Sequence, residues 1–144
     1  MSSNSPILFA EDDENDALLF RLALRKAGVT NPVVHAEDGE AALNYLGGVG
    51  SFSDHKQYPL PCLLVIDLKM PKVTGFDVLS WLRSQMPANR LPAIILSGSE
   101  QEPDKKRALD LGAKAYWVKP TDLAELVHLL QGLSRTWLAS PSHA

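Results

Sequence analysis

Four short apolar runs in this sequence each end on a side chain that can do chemistry. Ile7-Leu8-Phe9-Ala10 is followed by Glu11-Asp12-Asp13-Glu14, and Cys62-Leu63-Leu64-Val65-Ile66 by Asp67. Pro92-Ala93-Ile94-Ile95-Leu96 runs into Ser97-Gly98-Ser99, and Ala115-Tyr116-Trp117-Val118 into Lys119-Pro120. Carboxylates gathered from Glu11, Asp12 and Asp67 repel one another, which raises some of their pKa values unless a cation joins them. Carboxylates with backbone oxygens and water suit a hard octahedral ion, Mg²⁺ above all. Lys119 adds a point charge for an anionic oxygen and Ser97 a hydroxyl donor. A carboxylate nucleophile, a cation clamp, a lysine and a hydroxyl are the parts needed to place a phosphoryl group on an aspartate.

Bringing such groups together requires elements that end at one place. Cys62 to Ile66 is apolar without interruption, which predicts a strand buried on both faces of a parallel sheet, stopped by the loop carrying Pro71 and Gly75. Pro32 to Ala36 reads as a further strand. Between the strands the period becomes helical. Residues 15–27 form a helix with Leu19, Leu22 and Ala23 facing the core and Arg21, Arg25 and Lys26 outward. Asp38 caps a helix carrying Ala41, Ala42, Tyr45 and Leu46, ended by Gly47-Gly48. Thr74 with Asp77 starts a third, whose apolar line is Phe76, Leu79, Trp81 and Leu82. Residues 103–111 form a fourth, with Gly112 after its end. Thr121 caps the last, a long one, before a tail from Ser140 that should fray. Five strands alternating with five helices make an α/β fold: a doubly wound five-stranded parallel sheet with helices on both faces. Ligands of such sheets bind outside the carboxyl ends of strands, where the four chemical residues lie.

Bulk properties narrow the classes. The chain has 144 residues, 45% of them hydrophobic and 22% charged, which suits one packed domain over 1–144 with a core of about 6–138. A net charge of −3, with no basic block longer than Lys105-Lys106-Arg107, argues against nucleic acid as a partner. The lone Cys62 allows no internal disulfide, and no apolar run approaches a membrane span, so a cytoplasmic protein without a membrane partner is expected. His35, His55, His128 and His143 share no metal-like spacing. Gly47-Gly48-Val49-Gly50 lacks the Lys-Ser/Thr of a phosphate-binding loop, and Ser97 lacks the context of a nucleophile elbow.

Taken in order, Glu11-Asp12, Asp67-x-x-Met70-Pro71-x-x-x-Gly75, Ser97-Gly98 and Lys119-Pro120 resemble the receiver domain of two-component response regulators. The resemblance spans residues 6–133 and implies a (βα)5 flavodoxin-like fold. It implies that Asp67 accepts a phosphoryl group from a sensor histidine kinase, with Asp12, Asp67 and the Lys69 backbone carbonyl binding Mg²⁺ and Glu11 helping through water. Ser97 and Lys119 would hold the phosphoryl oxygens, and Tyr116 falls at the family's aromatic switch position, coupled to Ser97. A receiver of this kind is not an enzyme in the ordinary sense, though it takes part in its own phosphorylation and dephosphorylation. It signals through protein contacts. The long loop of residues 48–61 looks like that of single-domain receivers partnered with bacterial phytochromes. Lys69 departs from the usual pattern by placing a cation two residues after the acceptor. A non-phosphorylating scaffold is the alternative within the fold. An aspartyl-phosphate hydrolase is the alternative in another class, but its two aspartates separated by one residue become Asp67 and Lys69 here. A flavodoxin-like cofactor carrier is disfavoured by the acidic loop after the first strand. The last helix also carries an apolar surplus. Leu126, Val127 and Leu130 would cover the sheet, leaving Leu129, Leu133 and Trp137 as a second line for a homodimer through this helix or the adjoining fifth strand; the alternative is that both lines form one wide core stripe.

Overall fold

The computed structural model describes residues 5–54, 56–86 and 91–138. The strands are β1 (Ile7–Ala10), β2 (Val33–Ala36), β3 (Leu63–Ile66), β4 (Ala93–Ser97) and β5 (Ala115–Val118). They form one sheet in the order β2-β1-β3-β4-β5, and every pairing is parallel. Side chains alternate across it. Ile7, Phe9, Leu63, Val65, Ile94 and Leu96 join the core under α1 (Glu14–Lys26) and α5 (Leu123–Leu133). Leu8, Ala10, Leu64, Ile66 and Ile95 join the core under α2 (Gly39–Gly47), α3 (Gly75–Gln85) and α4 (Glu102–Asp110). The uninterrupted apolar runs of β1, β3 and β4 follow from burial on both faces. The doubly wound (βα)5 fold is the one expected.

Short polar side chains start four of the helices by accepting the backbone N–H three residues on. Asp13 does so for α1, Asp38 for α2 and Thr74 for α3, where the Asp77 carboxylate returns the bond to the Thr74 N–H at 2.9 Å. For α5 the cap is Asp122, which accepts from the Glu125 N–H at 2.8 Å. The expectation of Thr121 is therefore corrected by one position; its hydroxyl reaches the Glu125 side chain instead. In the loop of residues 48–61 a 3-10 turn (Gly50–Ser53) brings Phe52 against Tyr45 and Tyr58, and the Tyr45 hydroxyl donates to the Pro59 carbonyl at 2.7 Å. His55, His143 and the tail lie outside the described residues. Among those residues no helix is long and apolar enough to cross a membrane.

Three expected faces are corrected. In α1 the buried line is Ala17, Phe20, Ala23 and Leu24, because Phe20 stacks on Phe9 with centroids 3.8 Å apart. Leu19 and Leu22 are instead exposed at 46% and 37%, beside Leu18 at 66%. In α3 the buried side chains are Val78, Leu79 and Leu82, while Phe76 and Trp81 are only partly buried against the same core. In α5 the two expected lines merge into one wide stripe. Leu133 is 1% exposed, and Trp137 packs on the same core from a π turn (Ser134–Leu138) that prolongs the helix. Leu133 is thus core and not a dimer contact, and only Leu129 of that line stays outside the two cores, half-buried.

Candidate functional site

The chain winds in opposite directions from β1 and β3, so their adjacent carboxyl ends border a crevice that neither crossover covers. The sheet hydrogen bonding continues one step into that crevice. The Glu11 N–H donates to the Ala36 carbonyl and the Asp67 N–H to the Ala10 carbonyl, each at 3.1 Å. Two acidic side chains are thereby fixed where the strands end. Glu11 is 1% exposed and Asp67 is buried, while Asp12 is exposed. Carboxylate oxygens of Glu11, Asp12 and Asp67 all lie within 4.8 Å of one another.

Lys119 arrives from β5, its N–H donating to the Ser97 carbonyl at 2.8 Å. Its ammonium stands 2.8 Å from Glu11 Oε1, 2.7 Å from Asp16 Oδ2 and 3.2 Å from Asp67 Oδ2. Burial acts to lower the pKa of that ammonium, but the contacts with Asp16 and Glu11 and the charge of Asp67 outweigh it, and the net shift is upward. The Glu11 carboxyl is pushed up to about 7 by burial, with the Asp67 charge adding to the rise and Lys119 opposing it. The contact of the ammonium with buried Glu11 Oε1 is an ion pair without the alignment of a hydrogen bond. The other Glu11 oxygen accepts from the Asp13 N–H at 3.1 Å. Three carboxylates sharing one ammonium leave surplus negative charge, and such a set of hard oxygen donors fits a divalent cation such as Mg²⁺.

The loop after β3 is shaped for close approach. Lys72 adopts a φ of 66°, closing a tight turn with the Val73 N–H on the Pro71 carbonyl at 2.8 Å. The start of α3 then comes back against the acceptor strand. A Cβ at Gly75 would lie 2.5 Å from the Asp67 carbonyl oxygen and 2.8 Å from Leu68 Cα, so only glycine fits. Across the crevice Ser97 is buried, and its Oγ accepts the Ser99 N–H at 3.2 Å. An open cleft of about 530 Å³ beside Asp67 is lined by Lys69, the Gly98–Gln101 loop and Lys119.

Every chemical residue expected from the sequence is at this end of the sheet: Glu11, Asp12, Asp67, Ser97 and Lys119. Lys69 is beside it, but its exposed ammonium leans 3.9 Å from Asp104. Tyr116 and Trp117 face opposite layers, as strand geometry requires; the Tyr116 hydroxyl donates to the Ser99 carbonyl at 2.9 Å. Two participants are absent from the sequence reading. Asp16 is the nearest partner of Lys119, and Asp104 accepts from the Ser99 hydroxyl at 2.6 Å. The signal for Asp16 is ambiguous, because an acid three residues after a cap also reads as half of a capping box.

The fold and this cluster define a receiver. The response regulator receiver domain family matches residues 7–131, and the chain belongs to that family. Response regulator Rcp1 of Synechocystis sp. is 30% identical, over 94% of this chain and 92% of that protein. The Mn²⁺-bound form of Rcp1 superposes with a TM-score of 0.81 at 28% identity, covering 94% of this chain and 96% of that one. The phosphorylated cyanobacterial phytochrome response regulator RcpA has a TM-score of 0.85 at 31% identity, covering 95% of this chain and 96% of that one. Response regulator RPA3017, from red light signalling in R. palustris, has a TM-score of 0.87 at 31% identity, over 94% and 95% of the two chains.

Proposed function

We propose that this chain is a phospho-acceptor switch of a two-component phosphorelay. The observation that carries the reading is the convergence of Glu11, Asp12, Asp67 and Lys119 at one topological switch point, where three carboxylates meet one ammonium. An Asp67 carboxylate oxygen attacks the phosphorus of a phosphohistidine, the P–O bond forms as the P–N bond breaks, and the imidazole leaves with the electron pair. Lys119 meets the charge on the transferring oxygens and Ser97 donates its hydroxyl to one of them. A Mg²⁺ ion held by Asp12, Asp67 and the Lys69 carbonyl, with Glu11 assisting, would supply the positive charge that offsets those oxygens. Turning Ser97 toward the phosphoryl group changes the Ser99 loop, and through the Tyr116 hydroxyl that change is felt at the β4–β5 face.

Kinship with receivers named for phytochrome and red-light signalling supports a bacterial phytochrome kinase as the phosphoryl source. The exposed Leu18, Leu19 and Leu22 on α1 supply a contact surface at the site's edge, since Leu19 lines a recess with Glu11, Asp16 and Lys119. Homodimerisation belongs to the same reading. It would use edge strand β5 and the Leu129 side of α5. The test is phosphotransfer from an autophosphorylated phytochrome kinase to wild type and to Asp67→Asn. Label reaching wild type alone supports the reading, and equal labelling of both proteins or of neither overturns it.

A further inference from the structure

Asp16 has no part in the acidic trio, yet it makes the shortest contact with Lys119, 2.7 Å from Oδ2 to the ammonium. Its position in α1 is the third after the Asp13 cap, where an acid ordinarily folds back onto the N–H of the cap residue. Asp77 does this at the start of α3. At α1 Glu11 Oε2 has taken that N–H, so the Asp16 carboxylate is released to reach across to β5. The ammonium donates to Asp16 and Asp67 and forms an ion pair with Glu11. A divalent cation binding the trio competes for two of these acceptors and leaves Asp16 alone.

We propose that Asp16 is a positioning residue: it draws the Lys119 ammonium toward α1, so that a divalent cation can displace the ammonium from Glu11 and Asp67. The inference rests on the phospho-acceptor reading but is tested without phosphate. Without Asp16, Lys119 is held by Glu11 and Asp67 alone and competes more strongly with the cation for them. Asp16 is 38% exposed in its side chain, and at physiological salt its direct field on the cation is screened. Its influence therefore travels through Lys119.

The experiment is Mn²⁺ titration at 0.15 M salt, read by loss of the free-ion paramagnetic resonance signal. The proteins are wild type, Asp16→Asn, Asp16→Glu, Lys119→Met and the Asp16→Asn/Lys119→Met double variant. The expected result is a five- to tenfold weaker affinity for Asp16→Asn, a value within twofold of wild type for Asp16→Glu, and less than a twofold effect of Asp16→Asn once Lys119 is Met. An equal loss in both backgrounds, or no loss in the single variant, would overturn the inference alone. A wild type that binds no Mn²⁺ would overturn the cation pocket and the inference together.

Discussion

Replacing Glu11 by Gln should stabilise the cation-free protein at high pH, although it removes a charge from the centre of the site. The carboxyl is almost wholly buried, and its pKa is raised from an ordinary 4.5 to about 7. An acid raised in the folded state is protonated there while the unfolded chain is already ionised, so its contribution to stability falls as pH rises from 4.5 through 7. At ~1.4 kcal/mol per pH unit, carrying the charge above pH 7 costs about 3 kcal/mol. Gln does not titrate. Urea unfolding without divalent cations should therefore show the difference between Glu11→Gln and wild type growing in favour of Gln by about 2–3 kcal/mol from pH 5 to pH 8. Mg²⁺ at a hundredfold excess over the wild-type Kd should narrow that difference at pH 8, because binding adds ~2.7 kcal/mol to wild type and less to a variant that has lost one of the pocket's carboxylates. A difference that stays constant between the two pH values would refute the burial reasoning, and a difference unchanged by Mg²⁺ would refute the part of Glu11 in the cation site.

Asp12→Ala should leave the fold intact, since the side chain is exposed, but weaken Mg²⁺ binding tenfold or more in calorimetric titration. Gly75→Ala should lower stability by about 1–3 kcal/mol in urea unfolding, because its Cβ meets backbone atoms of Asp67 and Leu68 that cannot yield. Tyr116→Ala should accept phosphate within a few-fold of the wild-type rate, yet lose phosphate-dependent partner binding in a pull-down. Normal partner binding would reduce Tyr116 to packing.

The strands were legible because burial on both faces leaves an unbroken apolar run, as in β3, with the chemical residue at its end. Capping residues gave the starts of α2 and α3 for the same reason: Asp38 and Thr74 bond the backbone beside them in sequence. Helix faces were harder. Residues 17–24 of α1 are apolar nearly all round, and the choice between Leu19 and Phe20 is made by Phe9 on a distant strand. In α5 spacing separates Leu130 from Leu133, but the core is wide enough to take both. Within the site, the residues delivered by strand ends were readable from position. Asp16 was not, because its role depends on Glu11 having occupied the Asp13 N–H, a contact no local pattern records.

The central claim is that Asp67 is the phospho-acceptor of a cation-assisted pocket. Intact mass spectrometry after incubation with a small acyl phosphate tests it most directly, with and without Mg²⁺, on wild type and Asp67→Asn. Wild type should gain one phosphoryl group with Mg²⁺ and little without it, the adduct should be lost in base, and Asp67→Asn should stay unmodified. A phosphoryl adduct of equal extent on Asp67→Asn, or none on wild type with Mg²⁺ present, would contradict it.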